Sequence, residues 1–178
     1  IRISIHNRGN DAAYIAVLPA LWFRNLWSFG LIKEKPTMKL TDDRTVKLHH
    51  PEAGDYYFSF ETPARKLFTE NETNTERLYS QPNVTPFVKD TFHAAVVTGN
   101  YDLLETKKEG TKFSPMYEFN IPAQSSVTVK LRLSKHVVKE DSFDKSFDAL
   151  FDKRIAEADE FYNAITSAAN KEQQNIQR

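Results

Sequence analysis

Residues 127–133 read Val-Thr-Val-Lys-Leu-Arg-Leu, and this stretch decides the fold class of the chain. Every second side chain is apolar and those between are polar, a period of two that predicts a β-strand with one buried and one solvated face. The same alternation recurs in four other segments, at residues 1–5, 38–48, 56–60 and 117–121. Because about eight strands with little helix between them result, the sequence predicts a mainly β chain, folded as an antiparallel, supersandwich-like β-sandwich over residues 1–135.

Turn and breaker residues refine the predicted strands. Residues 42–44, Asp-Asp-Arg, divide the alternating segment 38–48 and predict a hairpin. Residues 13–24 are almost continuously apolar, which predicts a strand covered on both faces. Pro19 lies within them and predicts an edge or a bulge, because proline cannot donate to a ladder. Residues 94–98 form a short apolar run that ends at a Gly-Asn pair, and we interpret them as one more strand.

From residue 142 onward the apolar residues recur at steps of three and four, which predicts an amphipathic helix over residues 142–169. Asp141 or Ser142 is expected to cap this helix, and Asp144 complements the positive end of its dipole. The apolar stripe has to dock on another surface, because an isolated helix of this kind is only marginally stable. We therefore expect a linker helix, followed by a polar tail at residues 170–178.

Composition excludes several classes of function. The chain has 24 Lys plus Arg residues and 24 Asp plus Glu residues among its 178, so no net field attracts nucleic acid or an anionic membrane. It contains no cysteine, which excludes disulfides, thiolate metal sites and a cysteine nucleophile. No apolar run approaches the roughly 20 residues needed to cross a bilayer. The sequence therefore predicts neither nucleic acid nor a membrane as a partner.

The common catalytic and metal-binding motifs do not occur in the sequence. The five glycines are scattered and form no phosphate-binding loop, and there is neither a Gly-x-Ser-x-Gly elbow nor a His-Glu-x-x-His zinc helix. The five histidines, His6, His49, His50, His93 and His136, include no pair at helical ligand spacing. The sequence thus predicts no catalytic residue, no metal site and no cofactor.

One polar segment stands out, residues 68–78, which read Phe-Thr-Glu-Asn-Glu-Thr-Asn-Thr-Glu-Arg-Leu. A solvated surface loop is the simplest interpretation. Its crowded hydrogen-bonding side chains also suit a hydroxyl-rich sugar, or a hard cation that prefers oxygen ligands. The candidate substrate-binding residues in this segment are Glu70, Asn71, Glu72, Asn74 and Arg77.

Glu70 and Glu72 have the spacing of a possible glycosidase acid and base. In an extended chain their side chains share one face about 6.6 Å apart, within the range of roughly 6.5–9.5 Å found in inverting enzymes. An inverting pair approaches the sugar from opposite sides, whereas neighbours on one strand point the same way. We therefore assign no catalytic role to this pair, because a second carboxylate from distant structure would be required.

A group of four aromatic residues lies between residues 22 and 29: Trp22, Phe23, Trp27 and Phe29. Such residues usually belong to a core. The alternative is that Trp22 or Trp27 presents a ring face to a sugar, as flat apolar surfaces beside polar groups do in binding clefts. In that case Trp22 joins the candidate substrate-binding residues, and its neighbours Arg24 and Asn25 supply the polar contacts.

Five motifs occur in a characteristic order along the chain. They are Ile-His-Asn-Arg-Gly at 5–9, Leu-Pro-Ala-Leu-Trp-Phe-Arg-Asn at 18–25, Phe-Thr-Glu-Asn-Glu-Thr-Asn at 68–74, Pro-Phe-Val-Lys-Asp at 86–90 and Phe-Asp-x-Arg-x-x-Glu-Ala-Asp-Glu-Phe-Tyr at 151–162. Together they resemble the amino-terminal region of large bacterial proteins similar to glycoside hydrolase family 63, the processing α-glucosidase and mannosylglycerate hydrolase group. The resemblance covers nearly the whole chain, and the motif at 68–74 is its most specific part.

The resemblance implies a β-sandwich that a helix links to an (α/α)6 barrel, and the barrel carries the inverting acid and base. No position of this chain matches those carboxylates. We therefore expect a non-catalytic part of a longer glycoside hydrolase. A chain that opens in the middle of a strand, as the alternation at residues 1–5 suggests, agrees with this expectation. Its partners are then carbohydrate and the barrel, and the sandwich packs on the barrel through the helix at 143–165. Residues 69–77 and 22–25 help to shape the mouth of the active site. A free-standing carbohydrate-binding or structural interaction module is the alternative.

Overall fold

Two antiparallel sheets form the framework of the first 137 residues in the computed structural model, which describes residues 1–61, 64–138, 143–165 and 172. In chain order the strands are β1 (Arg2–His6), β2 (Ala13–Val17), β3 (Leu21–Trp22), β4 (Thr37–Asp42), β5 (Thr45–His50), β6 (Gly54–Phe60), β7 (Arg65–Thr69), β8 (Glu109–Gly110), β9 (Lys112–Ile121) and β10 (Ser126–Ser134). The helices are α1 (Thr75–Tyr79), α2 (Thr91–Thr98), α3 (Asp102–Glu105) and α4 (Lys145–Ile165), with a 3-10 turn at Trp27–Phe29.

The two sheets form the predicted antiparallel β-sandwich. One sheet has six strands in the order β1-β10-β6-β5-β4-β8. In the other, β9 is central and pairs with β2, β3 and β7. The chain divides into two compact units, one formed by Arg2–Val137 and the other by Ile1 with the residues from Val138 onward. Both sheets lie in the first unit.

The strands predicted from alternation are confirmed, with the segment 117–121 in β9 of the four-stranded sheet and the others in the six-stranded sheet. In β10, Val129 and Leu131 are buried and Lys130 between them is partly exposed, whereas Leu133, at the end of the predicted buried face, is 52% exposed. The predicted hairpin is β4–β5, in which Met38 pairs with Leu48. At its turn the Asp42 carboxylate accepts a hydrogen bond of 2.8 Å from the backbone N–H of Arg44, a local contact that favours aspartate in turns.

The core between the sheets is built around the fully buried ring of Phe113 on β9. This ring lies 4.6 Å from that of Phe68, measured between centroids, and 5.4 Å from that of Phe60. Phe58 meets it edge to face at 6.1 Å. Because Phe68 belongs to the same sheet as Phe113, and Phe58 and Phe60 to the other, these rings join the two layers.

Helices cover the outer face of the four-stranded sheet. Phe92 and Ala95 of α2, together with Leu104 of α3, pack on Leu67 of β7 and Met116 of β9. The strand predicted at residues 94–98 is therefore wrong, since these residues belong to α2. Its β-branched residues favour a strand locally, but three-residue spacing lets Phe92 and Ala95 bury one helical face, and this tertiary contact overrides the local preference.

The apolar run at 13–24 lies on the edge of the four-stranded sheet. Tyr14 and Trp22 are exposed, so the prediction of a strand covered on both faces is wrong. The expected edge position of Pro19 agrees with the structure. Val17 pairs with Tyr117 and Leu21 with Phe113, and the same register places Pro19 across from Pro115. Neither proline has an N–H to donate, which explains why the edge is split into β2 and β3.

Helix α4 is amphipathic, as predicted, and spans Lys145–Ile165. The Asp144 carboxylate accepts hydrogen bonds from the backbone N–H groups of Ser146 at 2.9 Å and Phe147 at 3.3 Å, as a capping side chain does. The expected caps Asp141 and Ser142 lie outside the described residues, as do 166–169 of the predicted helix. Within the described residues, no helix combines the length and apolar character that a membrane crossing requires.

Candidate functional site

The two segments that the sequence singles out meet at a pocket of about 560 Å³ in the first unit. One wall follows the chain after β3, and the other walls come from the loop after β7, from α1 and from the segment that leads into α2. The lining residues are Asn25, Ser28, Phe29, Asn71, Glu72, Thr73, Thr75, Tyr79, Val84, Val88 and Lys89. The volume lies within the roughly 300–1,000 Å³ of small-molecule sites.

Asn71 fixes the two segments to each other. Its side-chain amide donates a hydrogen bond of 2.8 Å to the backbone carbonyl of Phe23, and its backbone N–H donates one of 2.7 Å to the hydroxyl of Thr111. The first bond reaches the segment after β3 and the second reaches the residue just before β9. Asn71 thus connects the segments that form the floor of the pocket, and it is also one of the residues that line the pocket.

Glu72 places a carboxylate in the pocket wall. One of its oxygens, Oε1, accepts a hydrogen bond of 2.9 Å from the indole N–H of Trp27 and one of 3.3 Å from the ammonium of Lys35. Trp27 therefore contacts a polar group through its ring nitrogen, whereas the sequence interpretation places its ring face against a sugar.

Glu70 lies beneath the pocket and does not line it. Its carboxylate accepts bonds from Lys35 at 2.9 Å, Lys107 at 3.0 Å and the hydroxyl of Thr111 at 2.9 Å. Burial alone would raise the pKa of the Glu70 carboxyl, but the bonds from Lys35 and Lys107 outweigh burial and lower this pKa below the usual glutamate value. Glu70 therefore acts as a buried anion that holds two lysines in place.

Lys35 joins the carboxylates of Glu70 and Glu72, which lie 2.9 Å and 3.3 Å from its ammonium. Burial alone would lower the pKa of Lys35, but hydrogen bonding and charge from Glu70, followed by Glu72, raise it above the usual lysine value. Both carboxylates thus converge on one cation. This is not the arrangement of an inverting acid and base, which flank a sugar from opposite sides.

Lys89 supplies the opposite charge to the pocket wall. Its backbone N–H donates a hydrogen bond of 2.9 Å to the carbonyl of Glu72, and its ammonium lies 3.3 Å from the hydroxyl of Thr73. The ammonium of Lys112 donates to the Lys89 carbonyl at 2.8 Å and lies 4.6 Å from the ring centroid of Phe92. Burial, followed by the charge of Lys89, lowers the pKa of Lys112.

Asn74 caps α1 and stabilises the loop behind the pocket. Its side-chain oxygen accepts a hydrogen bond of 3.0 Å from the backbone N–H of Arg77 and another of 3.0 Å from the Asn83 amide. Its amide nitrogen lies 3.2 Å from both carboxylate oxygens of Asp90. The hydrogen-bonding groups of Asn74 are therefore engaged within the protein, which makes it a supporting residue.

Apolar side chains form the rim of the pocket. Phe29, Tyr79 and Val84 all line it and are strongly exposed. Beside them, the Asn25 side chain accepts a hydrogen bond of 3.1 Å from the backbone N–H of Ser28 and donates one of 2.9 Å to the Ser28 hydroxyl, which fixes the 3-10 turn. The pocket thus combines a polar floor with two exposed aromatic rings.

Three of the predicted candidates line the pocket: Asn25, Asn71 and Glu72. Two others, Glu70 and Asn74, support it from behind through the contacts described above. The remaining three, Trp22, Arg24 and Arg77, are exposed and do not belong to its lining.

Sequence reasoning missed several pocket residues, among them Tyr79, Val84 and Lys89. Lys89 had an available signal, because it belongs to the Pro-Phe-Val-Lys-Asp motif at 86–90. Tyr79 and Val84 had none, since an exposed aromatic or valine in a loop is ordinary at the level of sequence.

Among the described residues, no three His, Asp or Glu side chains converge as they would to hold a metal ion.

The fold and the pocket define the class of this protein as a mainly β, antiparallel sandwich with a polar, aromatic-rimmed surface pocket. No family model and no solved structure matches the chain. The chain is similar to a protein of Saccharomyces cerevisiae that is described as uncharacterized, with 29% identity over 218 aligned positions that cover 99% of this chain and 20% of the yeast protein. The chain thus spans about a fifth of the length of that relative.

Proposed function

We propose that this chain is the non-catalytic β-sandwich part of an inverting, α-glucosidase-like glycoside hydrolase, and that its pocket contributes to sugar binding at the active-site mouth. The catalytic carboxylates would belong to an (α/α)6 barrel on which the sandwich packs. The observation that carries the proposal is the pocket itself, where the motifs at 18–25, 68–74 and 86–90 contribute lining residues to one cavity.

The composition of this pocket suits a sugar better than an apolar ligand. Carboxylate, amide, hydroxyl and ammonium groups from Glu72, Asn71, Thr73 and Lys89 supply acceptors and donors for hydroxyl groups. Phe29 and the other rim residues supply apolar surface for the C–H face of a sugar ring. A few oriented polar groups beside aromatic surface are characteristic of small-molecule sites.

The geometry of the Glu70 and Glu72 carboxylates also favours a non-catalytic role for this chain. Glu70 is saturated by two lysines and a threonine, and Glu72 shares one of those lysines. A glycosidase needs a proton donor on one side of the scissile bond and a base or nucleophile on the other. The described residues around the pocket offer no such opposed pair, so the proposal places hydrolysis in the barrel.

The test compares two tyrosines of equal exposure in the full-length protein. Tyr79 lines the pocket and Tyr14 lies on the edge strand β2, and both are 65% exposed. For hydrolysis of an α-linked gluco-oligosaccharide we expect Tyr79→Ala to lower kcat/KM on the order of tenfold, because it removes an aromatic contact. Tyr14→Ala should leave kcat/KM unchanged. Equal kinetics for the two variants, or no hydrolysis by the unsubstituted full-length protein, would refute the proposal.

A free-standing carbohydrate-binding module is the second candidate. It is favoured by the fact that all lining residues of the pocket lie between Asn25 and Lys89, within one unit of this chain. Titration of the 178-residue chain with gluco- and manno-oligosaccharides separates the two candidates. Tight binding by the chain alone, without hydrolysis by the full-length protein, would favour the module.

A further inference from the structure

We infer that the pocket accepts the end of an uncharged glycan, with Glu72 as the acceptor and Lys89 as a donor for its hydroxyl groups. This inference rests on the proposed function and specifies the ligand class for the same pocket.

The charges in the pocket wall balance. Among the described residues that line it, Glu72 carries the one negative charge and Lys89 the one positive charge. Behind the wall, Lys107 contacts Glu70 at 3.0 Å, and Lys35 contacts Glu70 at 2.9 Å and Glu72 at 3.3 Å. A phosphate or carboxylate ligand that binds Lys89 in this pocket would share the cavity with the Glu72 carboxylate, and like charges repel.

Glu72 is oriented before any ligand arrives. Trp27 and Lys35 both bind its Oε1 atom, at 2.9 Å and 3.3 Å. The bond from Trp27 holds Oε1, and no hydrogen bond from the described residues engages the other oxygen, Oε2. An ionised carboxylate is acceptor-only, so the group that binds Oε2 has to be a donor. A sugar hydroxyl is such a donor, whereas a phosphate dianion or a carboxylate is not.

Lys89 complements this acceptor. Its ammonium has three N–H donors, and the contact to the Thr73 hydroxyl, at 3.3 Å, is long for a hydrogen bond. It therefore keeps donors for a ligand oxygen. Two hydroxyl groups on neighbouring carbons of one sugar can make both contacts, one donating to Glu72 and the other accepting from Lys89. A carboxylate or phosphate can accept from Lys89 but cannot donate to Glu72.

The aromatic rim fits the apolar face of the same ligand. Phe29 and Tyr79 line the pocket, and their side chains are 76% and 65% exposed. Aromatic surfaces of this kind stack against the C–H groups of a pyranose ring while its hydroxyl groups point to the polar floor. A rim of two rings without a cationic side chain gives no further attraction for an anion.

The experiment titrates the 178-residue chain with two probes that differ only at C6, methyl α-D-glucopyranoside and methyl α-D-glucopyranosiduronate. Binding is followed through the ring NMR signals of Phe29 and Tyr79. We expect the neutral glycoside to shift these signals and the uronate to bind at least about fivefold more weakly. Glu72→Gln should weaken binding of the neutral glycoside about tenfold, because the neutral amide is a poorer acceptor.

The matched control is Glu109→Gln, which removes an exposed carboxylate on β8 outside the pocket and should change neither affinity. If Glu72→Gln does not fold, Lys89→Met replaces it, with Lys39→Met as its control, and should also weaken binding of the neutral glycoside. Tighter binding of the uronate, or an unchanged affinity in the pocket variants, would overturn the inference and leave the pocket as a sugar site. If neither probe shifts the two rings, the inference fails together with the role of the pocket in the proposed function.

Discussion

At the scale of single residues, Lys35 determines how two nearby carboxylates are used. Glu70 and Glu72 both reach its ammonium, but only Glu72 faces the pocket. A lysine between two carboxylates removes the repulsion that would otherwise separate them. Glu70 therefore stabilises the loop from beneath the pocket, while Glu72 lies in the pocket wall.

The first prediction concerns the acid stability that Glu70 contributes. Its pKa is lower in the folded protein than the roughly 4.3 of an unfolded chain, so between these two values the unfolded state binds more protons. The stabilisation is therefore complete above the unfolded pKa and is lost as the pH falls through the folded pKa. Glu70→Gln should lower the free energy of unfolding near neutral pH by about 1–3 kcal/mol and reduce its decline with acid, as measured by urea unfolding at several pH values.

Glu109→Gln is the control for this prediction, because the Glu109 side chain is 65% exposed and meets Lys39 only at 3.9 Å. Exposed ion pairs contribute little, so this variant should keep the acid dependence of the unsubstituted protein. A Glu70→Gln protein with the same acid dependence would show that the lysines do not stabilise the ionised carboxylate.

Sequence patterns predicted which polar residues lie at the site better than they predicted which of them face the pocket. The dense run at 68–74 identified Asn71 and Glu72, because hydrogen-bonding side chains without apolar interruption are unusual. It could not separate them from Glu70, which points toward Lys107 and Thr111. That difference depends on partners about 40 residues away in the sequence, and no local pattern contains it.

At the scale of elements, alternation predicted strands that have one exposed face and missed a short strand that is covered on both. Strand β10 alternates because only one of its faces packs on the core. Strand β7 was not predicted, since consecutive Leu67 and Phe68 are both buried, one toward the helices and one toward the other sheet. A short strand of this kind has no period of two, and only its tertiary neighbours define it.

The second prediction concerns the close approach of β8 to the end of β7. A Cβ atom added to Gly110 would lie 2.4 Å from the carbonyl oxygen of Thr69, and that carbonyl also accepts a hydrogen bond from Thr111. Gly110→Ala therefore has to push β8 away from the residue that precedes Glu70. We expect a loss of about 1–3 kcal/mol in the free energy of unfolding, measured by urea denaturation.

Gly9→Ala provides the comparison for Gly110→Ala. At Gly9 the nearest atom to an added Cβ is the side-chain oxygen of Asn7, at 3.2 Å, and a side chain can move at smaller cost than a backbone carbonyl. The loss should therefore be clearly smaller. If the two variants were equally stable, the contact between Gly110 and Thr69 would not limit the packing of these strands.

At the scale of the whole molecule, burial separates the aromatic residues that hold the sandwich together from those that are available to a ligand. Composition indicated a sheet protein rich in aromatic residues, with thirteen Phe and seven Tyr, but it could not assign each ring to one of these roles. Phe113 is fully buried between the sheets, while Phe29 is 76% exposed at the pocket rim. The same residue type therefore belongs to the core in one place and to the exposed pocket rim in the other.

The third prediction tests this separation with one substitution in each place. Phe113→Ala removes a ring that contacts Phe58, Phe60 and Phe68 and should lower the free energy of unfolding by about 3–5 kcal/mol. That is a large part of the roughly 5–15 kcal/mol that stabilises a typical domain. Phe29→Ala should change stability by no more than about 0.5 kcal/mol and yet weaken binding of the neutral glycoside. Urea unfolding followed by circular dichroism measures the first effect, and the ligand titration, followed at Tyr79, measures the second. A large loss of stability in Phe29→Ala would mean that the rim belongs to the core, and the separation between recognition and stability would then be wrong.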